Sequence, residues 1–223
     1  MNRQSTPTRP LFLVFDGMDG TGKTTQMHRL AQRLRAEGTP VMTTAEPTDF
    51  PDGRRLREAL GGRIPATNEQ LAALFLQDRI GHNLHPEGGI EKALADGLTV
   101  LCDRYYYSSM AYQGGDDPAV LAWVTDMNLH CPAIRHPDGC LCFDLDPRVS
   151  MERILAGRDS SHLDIYETEA QQARIRARFA GIRKRLAGQE RFFVIDASGN
   201  QDQVAARVYE AYCRLRQEVA AQG

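Results

Sequence analysis

The alternation of short apolar runs with longer amphipathic stretches predicts an α/β protein: a five-stranded, mostly parallel sheet with helices on both faces. Three observations carry this prediction. Apolar runs recur at 11–16, 41–44, 98–102, 140–145 and 192–195. They are continuous rather than alternating, as in strands buried on both faces. A helical stretch separates nearly every successive pair, which favours parallel strands joined by crossover helices.

Taken in order, LFLVFD at 11–16 is a buried strand that runs into a glycine-rich turn and a helix over 23–37, stopped by Gly38. Residues 41–44 form the second strand, 46–53 a loop, and 54–60 a short helix ended by Gly61-Gly62. Thr67 or Asn68 can cap a long helix with Glu69 and Gln70 in its first turn and a stripe of Leu71, Leu74, Phe75 and Ile80. The third strand, 98–102, is followed at once by Asp103-Arg104, and 119–128 is helical, with Trp123 packed inside it. The fourth strand, 140–145, closes at Asp146-Pro147; helices follow at 148–156 and 165–186 around a polar loop, 157–164. A fifth strand at 192–195 and a helix over 201–219 complete the chain.

With 223 residues, 42% hydrophobic and 25% charged, the composition is that of an ordinary globular protein and excludes disorder, collagen-like sequence and coiled coil. Residues 11–223 are expected to form one domain, and the polar residues 1–10 a disordered tail. A net charge of −2 offers no basic excess for general nucleic-acid binding. No apolar run near the start is long enough for a signal peptide or a membrane span, so the expected location is cytoplasmic. The odd count of five cysteines fits free, buried thiols, with Cys140 and Cys142 on one face of a strand. None of the six histidines forms a recognisable site, and His82 and His85 are expected at the surface. Arg174, Arg176 and Arg178 read as a solvated helix face.

The most informative stretch is Gly17-Met18-Asp19-Gly20-Thr21-Gly22-Lys23-Thr24, followed by Thr25. It fits G-x4-G-K-[ST] between a strand and a helix, the context of a phosphate-binding loop. Glycines let successive N–H groups point at polyphosphate oxygens, and the helix start adds its positive dipole end. Lys23 can reach the β- and γ-phosphates of ATP, and the Thr24 hydroxyl can ligate Mg²⁺. No N-K-x-D motif supports a GTPase, and no long apolar strand ending in paired acids supports a motor ATPase. A kinase acting on a small acceptor remains. Asp103 and Arg104 lie at a strand's carboxyl end, the edge that faces the ligand crevice of an open α/β sheet. An aspartate there can hold Mg²⁺ or its waters, and an arginine offers a planar fork to a phosphate.

The run Asp103-Arg104-Tyr105-Tyr106-Tyr107-Ser108-Ser109-Met110-Ala111-Tyr112-Gln113-Gly114 resembles the thymidylate kinase pattern D-R-[YH]-x-x-S-x-x-A-Y-Q-G at every fixed position. The phosphate loop from Phe15 to Thr25 is similar to the family's F-E-G-x-[DE]-G-x-G-K-T-T, with Asp16 for Glu. Glu46-Pro47 with Gly53 to Glu58 looks like its E-P…G-x-x-[IL]-R segment, and Leu74 to Arg79 like its L-F-x-A-x-R helix, with Gln77 for the small residue. The resemblance implies a P-loop NTPase fold, ATP and dTMP as substrates, Mg²⁺, and a homodimer. It further implies that Phe75 stacks on thymine, Arg79 donates to a base carbonyl, Ser108 and Gln113 read the pyrimidine edge, and Tyr112 disfavours a 2′-hydroxyl. Arg57 and Arg104 would hold the acceptor's 5′-phosphate, and Asp19 would sit between donor and acceptor.

Phosphoryl transfer brings like charges together and needs cationic supply at the transferring oxygens. In this family a mobile arginine comes from the phosphate loop or from a lid. Position 20 is glycine here, so the lid, about 157–167, must provide it: Arg158 first, Arg153 second. Many bacterial members carry arginine where this chain has Ala45 and Ile165. A related kinase with another acceptor, and a nucleotide-binding regulator without turnover, remain as alternatives.

Overall fold

The computed structural model describes residues 9–157 and 168–222. Five strands, β1 (Phe12–Gly17), β2 (Val41–Ala45), β3 (Thr99–Asp103), β4 (Gly139–Asp144) and β5 (Phe192–Asp196), pair in the order β2-β3-β1-β4-β5. Every pairing is parallel, so the sheet is wholly rather than mostly parallel. Central β1 is buried along its whole length, as its unbroken apolar run requires. β5 lies at an edge and alternates, leaving Val194 exposed.

The helices are α1 (Lys23–Ala36), α2 (Pro51–Leu60), α3 (Asn68–Leu84), α4 (Ile90–Ala95), α5 (Tyr106–Tyr112), α6 (Pro118–Leu129), α7 (Pro147–Gly157), α8 (Glu169–Arg185) and α9 (Gln201–Ala220). Thr67 is the cap of α3, closed reciprocally with Gln70 in a capping box. The second helix starts at Pro51 rather than 54, because proline at the first turn loses no intrahelical bond and fixes φ for the helix. α4 and α5, with 6 and 7 residues, are too short to show a period and escape the sequence reading. Of the helix expected over 165–186, residues 165–167 lie outside the described residues.

Several surface and core expectations are corrected by packing. His82 is fully buried, while Trp123 is 43% exposed on the outer face of α6. His85 stacks on Phe50, ring centroids 4.0 Å apart. Arg176 forks onto Asp144 at 2.7 and 2.8 Å, and Arg178 ties Asp116 and the Ala111 carbonyl. Neither arginine is simply solvated, because both reach neighbouring elements. All five cysteines are free; Cys102, Cys140 and Cys142 are buried, but Cys131 and Cys213 are only partly so.

The start of α2 is set by a close backbone approach. A Cβ on Gly53 would lie 2.0 Å from the Thr48 carbonyl oxygen, so only glycine lets α2 seat against the loop after β2. Gly53→Ala is expected to destabilise the protein by about 1–3 kcal/mol through overpacking. Thermal unfolding followed by circular dichroism should show a Tm lower by roughly 2–10 °C; an unchanged Tm would mean that the loop yields freely.

Candidate active site

Phe15 of β1 pairs in register with Asp103 of β3, so the phosphate loop and the Asp103-Arg104 turn leave the sheet side by side. Within the loop, Gly20 has φ +69°, and a Cβ there would lie 2.5 Å from the Ser150 carbonyl oxygen. The Ser150 hydroxyl donates to the Asp19 carbonyl at 2.6 Å, which holds α7 against the loop. A side chain at position 20 is thereby excluded, and with it an arginine from the loop itself.

Lys23 is buried, and its ammonium donates to the Met18 carbonyl at 2.6 Å. Burial lowers its pKa and Arg104 acts in the same direction, against Asp19, Asp103 and Asp16. A polyphosphate in the loop would add the negative charge that this ammonium needs. The Thr24 hydroxyl donates to Asp103 Oδ2, while Asp103 Oδ1 is buried with no hydrogen-bond partner among the described residues. An orphaned carboxylate oxygen beside a hydroxyl is a hard-oxygen donor set that fits Mg²⁺.

Asp16 organises the turn after β3. Its carboxylate accepts from the backbone N–H groups of Gly17 (2.9 Å), Tyr105 (3.3 Å) and Ser108 (3.0 Å) and from the Ser108 hydroxyl (2.6 Å). Burial raises this carboxyl, and the Ser108 hydrogen bond and the Arg104 charge oppose it. Arg104 adopts φ +65°, a left-handed conformation costing a non-glycine residue about 1–3 kcal/mol. The turn is held by the Arg104 N–H on the Phe15 carbonyl (2.9 Å) and by an ion pair between its guanidinium and Asp19. Tyr112 closes the group, its hydroxyl donating to Asp19 at 2.9 Å and its ring centroid 5.4 Å from the guanidinium carbon.

Phe75 and Arg79 lie one turn apart on α3, both facing inwards. Arg79 is buried against Glu46, and Gln113 is buried at the end of α5. Ser108 gives its one hydroxyl proton to Asp16 and accepts from Arg104 at 3.2 Å, which places it behind Arg104. Arg57 donates to the Thr48 carbonyl (2.6 Å) and pairs with Asp49. A cavity of about 410 Å³ joins Arg57 to Thr24 and Asp103, with the Ala45 methyl in its wall. Arg153 is apart from this group: it donates to the Ala197 (3.1 Å) and Gly199 (3.4 Å) carbonyls after β5. Arg158, Ile165 and nearly all of the lid lie outside the described residues.

Residues 15–208 match the family model described as Thymidylate kinase. The chain belongs to the thymidylate kinase family. It is 40% identical over 210 residues to the Thymidylate kinase of Ruegeria pomeroyi, covering 90% of this chain and 93% of that protein. Over 202 residues it is 38% identical to the Thymidylate kinase of Akkermansia muciniphila, covering 89% of each. The Thymidylate kinase of Leptospira borgpetersenii is 34% identical over 174 residues, 77% of this chain and 80% of the relative.

For this thymidylate kinase family member, sequence reasoning missed the residues that hold the others in place. Asp16 was legible only as a replacement for Glu, although its position at the end of a buried strand marks it as a carboxylate in need of donors. Asp78 was missed too; it accepts from the Thr48 N–H (2.9 Å) and hydroxyl and fixes the loop that carries Arg57's partners. No local signal identifies either set of partners.

Burial alone would raise the Asp19 carboxyl, but Arg104, Lys23 and the Tyr112 hydroxyl outweigh it and hold the pKa at about 2. A depressed carboxyl contributes stability above its unfolded pKa and loses it as pH falls through the folded value. The Tm difference between wild type and Asp19→Asn should therefore stay constant from about pH 5 to 8 and shrink as pH falls from about 4 towards 2. A difference that persists undiminished at acid pH would show that the Asp19 charge is not what stabilises the cluster.

Proposed function

We propose that the protein transfers the γ-phosphoryl group of ATP to dTMP, giving ADP and dTDP by direct in-line displacement. The observation that carries this reading is the Asp19–Arg104–Tyr112 cluster, built where the phosphate loop and the β3 turn adjoin. Donor phosphates enter the loop from one side, and an acceptor phosphate meets the guanidinium on the other. The names of the relatives support the same acceptor.

In this reading Lys23 leaves the Met18 carbonyl and binds the β- and γ-phosphates, while Gly17, Met18, Gly20, Thr21, Gly22 and Thr25 shape the cradle. Thr24 and Asp103 would hold Mg²⁺, which would supply charge to offset that of the phosphate oxygens. Arg104, fixed by Asp19 and Ser108, orients the acceptor's 5′-phosphate together with Arg57. Phe75 stacks on thymine, Arg79 donates to a base carbonyl, Gln113 reads the pyrimidine edge, and the Tyr112 ring crowds a 2′-hydroxyl. Arg158 supplies the lid charge, since Arg153 is engaged on the loop after β5. One domain, a homodimer using the exposed Leu84 and Trp123, and a cytoplasmic location complete the proposal. Among the described residues no helix is long and apolar enough to cross a membrane. The Ala45 methyl, standing where many family members have arginine, favours a second reading, a nucleotide-binding regulator with little turnover.

ADP release from Mg-ATP, with dTMP, dUMP, dCMP, dGMP, UMP and thymidine offered separately, tests the acceptor. Selectivity for dTMP is expected; a different preferred acceptor would remove the base-reading roles, and ATP binding without turnover would favour the regulator. Arg158→Ala should lower kcat by about 10²-fold or more with little change in ATP affinity. An unchanged kcat would take Arg158 out of the mechanism.

A further inference from the structure

The buried face of the C-terminal half of α3 is polar. Asp78, Arg79, His82 and Asn83 lie inside, where a helix of this kind usually places apolar side chains. Arg79 and Glu46 are each 1% exposed at the side chain. A buried ion pair adds little to stability, because desolvation cancels most of the attraction, but its geometry is tightly constrained.

That geometry departs from the usual one. Arginine and carboxylate prefer a two-oxygen fork. Here the Arg79 Nε (2.9 Å) and Nη2 (2.6 Å) both donate to a single oxygen, Glu46 Oε2. The other oxygen, Oε1, is 3.0 Å from His82 Nδ1, and His82 Nε2 is 2.7 Å from the Thr44 hydroxyl. A carboxylate beside a guanidinium accepts, so Nδ1 carries the ring proton and donates it to Oε1. His82 therefore holds the carboxylate away from the fork and sets the plane of the guanidinium.

On the opposite side, Asn128 of α6 accepts from Arg79 Nη1 at 2.6 Å through Oδ1. Its own amide is pinned, because Nδ2 donates to the Val124 carbonyl at 2.8 Å. Ser109 accepts from Nη2 at 3.2 Å, and the Tyr105 ring centroid lies 5.1 Å from the guanidinium carbon. Of the five N–H groups of arginine, these bonds use four, and the fifth, on Nη1, has no acceptor among the described residues.

We propose that His82 and Asn128 are positioning residues for acceptor recognition, holding the Arg79 guanidinium from two sides so that its remaining N–H meets the nucleobase carbonyl. The proposal rests on the reading that Arg79 contacts the base. That carbonyl is taken as the one at position 4, where cytosine carries an amino group and offers no acceptor; the position-2 carbonyl is common to both bases. The Thr44–His82–Glu46 chain thus acts on specificity without touching the substrate.

Two substitutions at His82 separate positioning from packing. His82→Asn places an amide donor near the Nδ1 position and should keep the bond to Glu46. His82→Gln places its amide near Nε2, towards Thr44, and should lose it. We expect His82→Gln and Asn128→Ala to raise the KM for dTMP by about tenfold and to lower the dTMP-to-dCMP ratio of kcat/KM by a similar factor. The kcat at saturating dTMP and the KM for ATP should stay within about twofold, and His82→Asn should remain close to wild type. Unchanged KM and selectivity in His82→Gln and Asn128→Ala would overturn the proposal. So would equal damage in His82→Asn and His82→Gln, or a loss of ATP affinity and kcat in step, since either reports general structural damage. Arg79→Gln is the control for the underlying reading: if it leaves the KM for dTMP and the selectivity unchanged, Arg79 does not read the base and that reading fails first.

Discussion

An acidic residue stands at or just beyond the carboxyl end of each strand: Asp16, Glu46, Asp103, Asp144 and Asp196. Parallel pairing brings them to one edge of the sheet, and the first three are buried there. Buried carboxylates must be paired or hydrogen-bonded, and most of the architecture around the site meets that requirement. Asp16 takes three backbone N–H groups and a hydroxyl; Glu46 takes Arg79 and His82; Asp144 takes Arg176. At the more exposed edge strand, Asp196 accepts from the Ser198 N–H, and Arg207 lies 3.5 Å away.

The exception lies beside the phosphate loop. Asp103 has the Thr24 hydroxyl on one oxygen and nothing among the described residues on the other, and Lys23 beside it rests on a carbonyl. Both groups are left to be satisfied from outside, and the adjoining loop is shaped for phosphate. Arg104 owes its place to the same edge. The Asp16 bonds hold the turn that forces its backbone into the left-handed region, and the strain is offset by the pairs it makes with Asp19 and Ser108.

Helix α8 is joined to this region on two sides. Arg176 ties α8 to the end of β4, and Arg178 ties it to the Ala111 carbonyl at the end of α5. Phe179 meets the Tyr112 ring edge-on, with centroids 6.5 Å apart. Tyr112 in turn donates to Asp19, so contacts run from α8 through one aromatic pair to the phosphate loop. The Glu46–Arg79 pair and the Asp78 bonds to Thr48 fix the neighbouring region differently, all carried by α3 and the loop after β2.

The amino-acid sequence alone determined what depends on local chemistry. The five apolar runs became the five strands, the phosphate loop was recognisable from its glycines and Lys23, and the Thr67–Gln70 spacing capped α3. The motif around Asp103 and Arg104 pointed to the carboxyl edge of the sheet, where the structure sets both residues beside the phosphate loop. Only tertiary structure decided which polar side chains were buried and what they met. His82 and Asn128 lie in helices whose patterns make them look peripheral, and each is buried by partners 36 or 49 residues away along the chain. Arg176 and Arg178 looked solvated until β4 and α5 supplied acceptors, and Trp123 looked buried until α6 turned it outwards. Periodicity records how apolar side chains repeat along one element, whereas the pairing of a buried charge depends on which other element the fold brings against it.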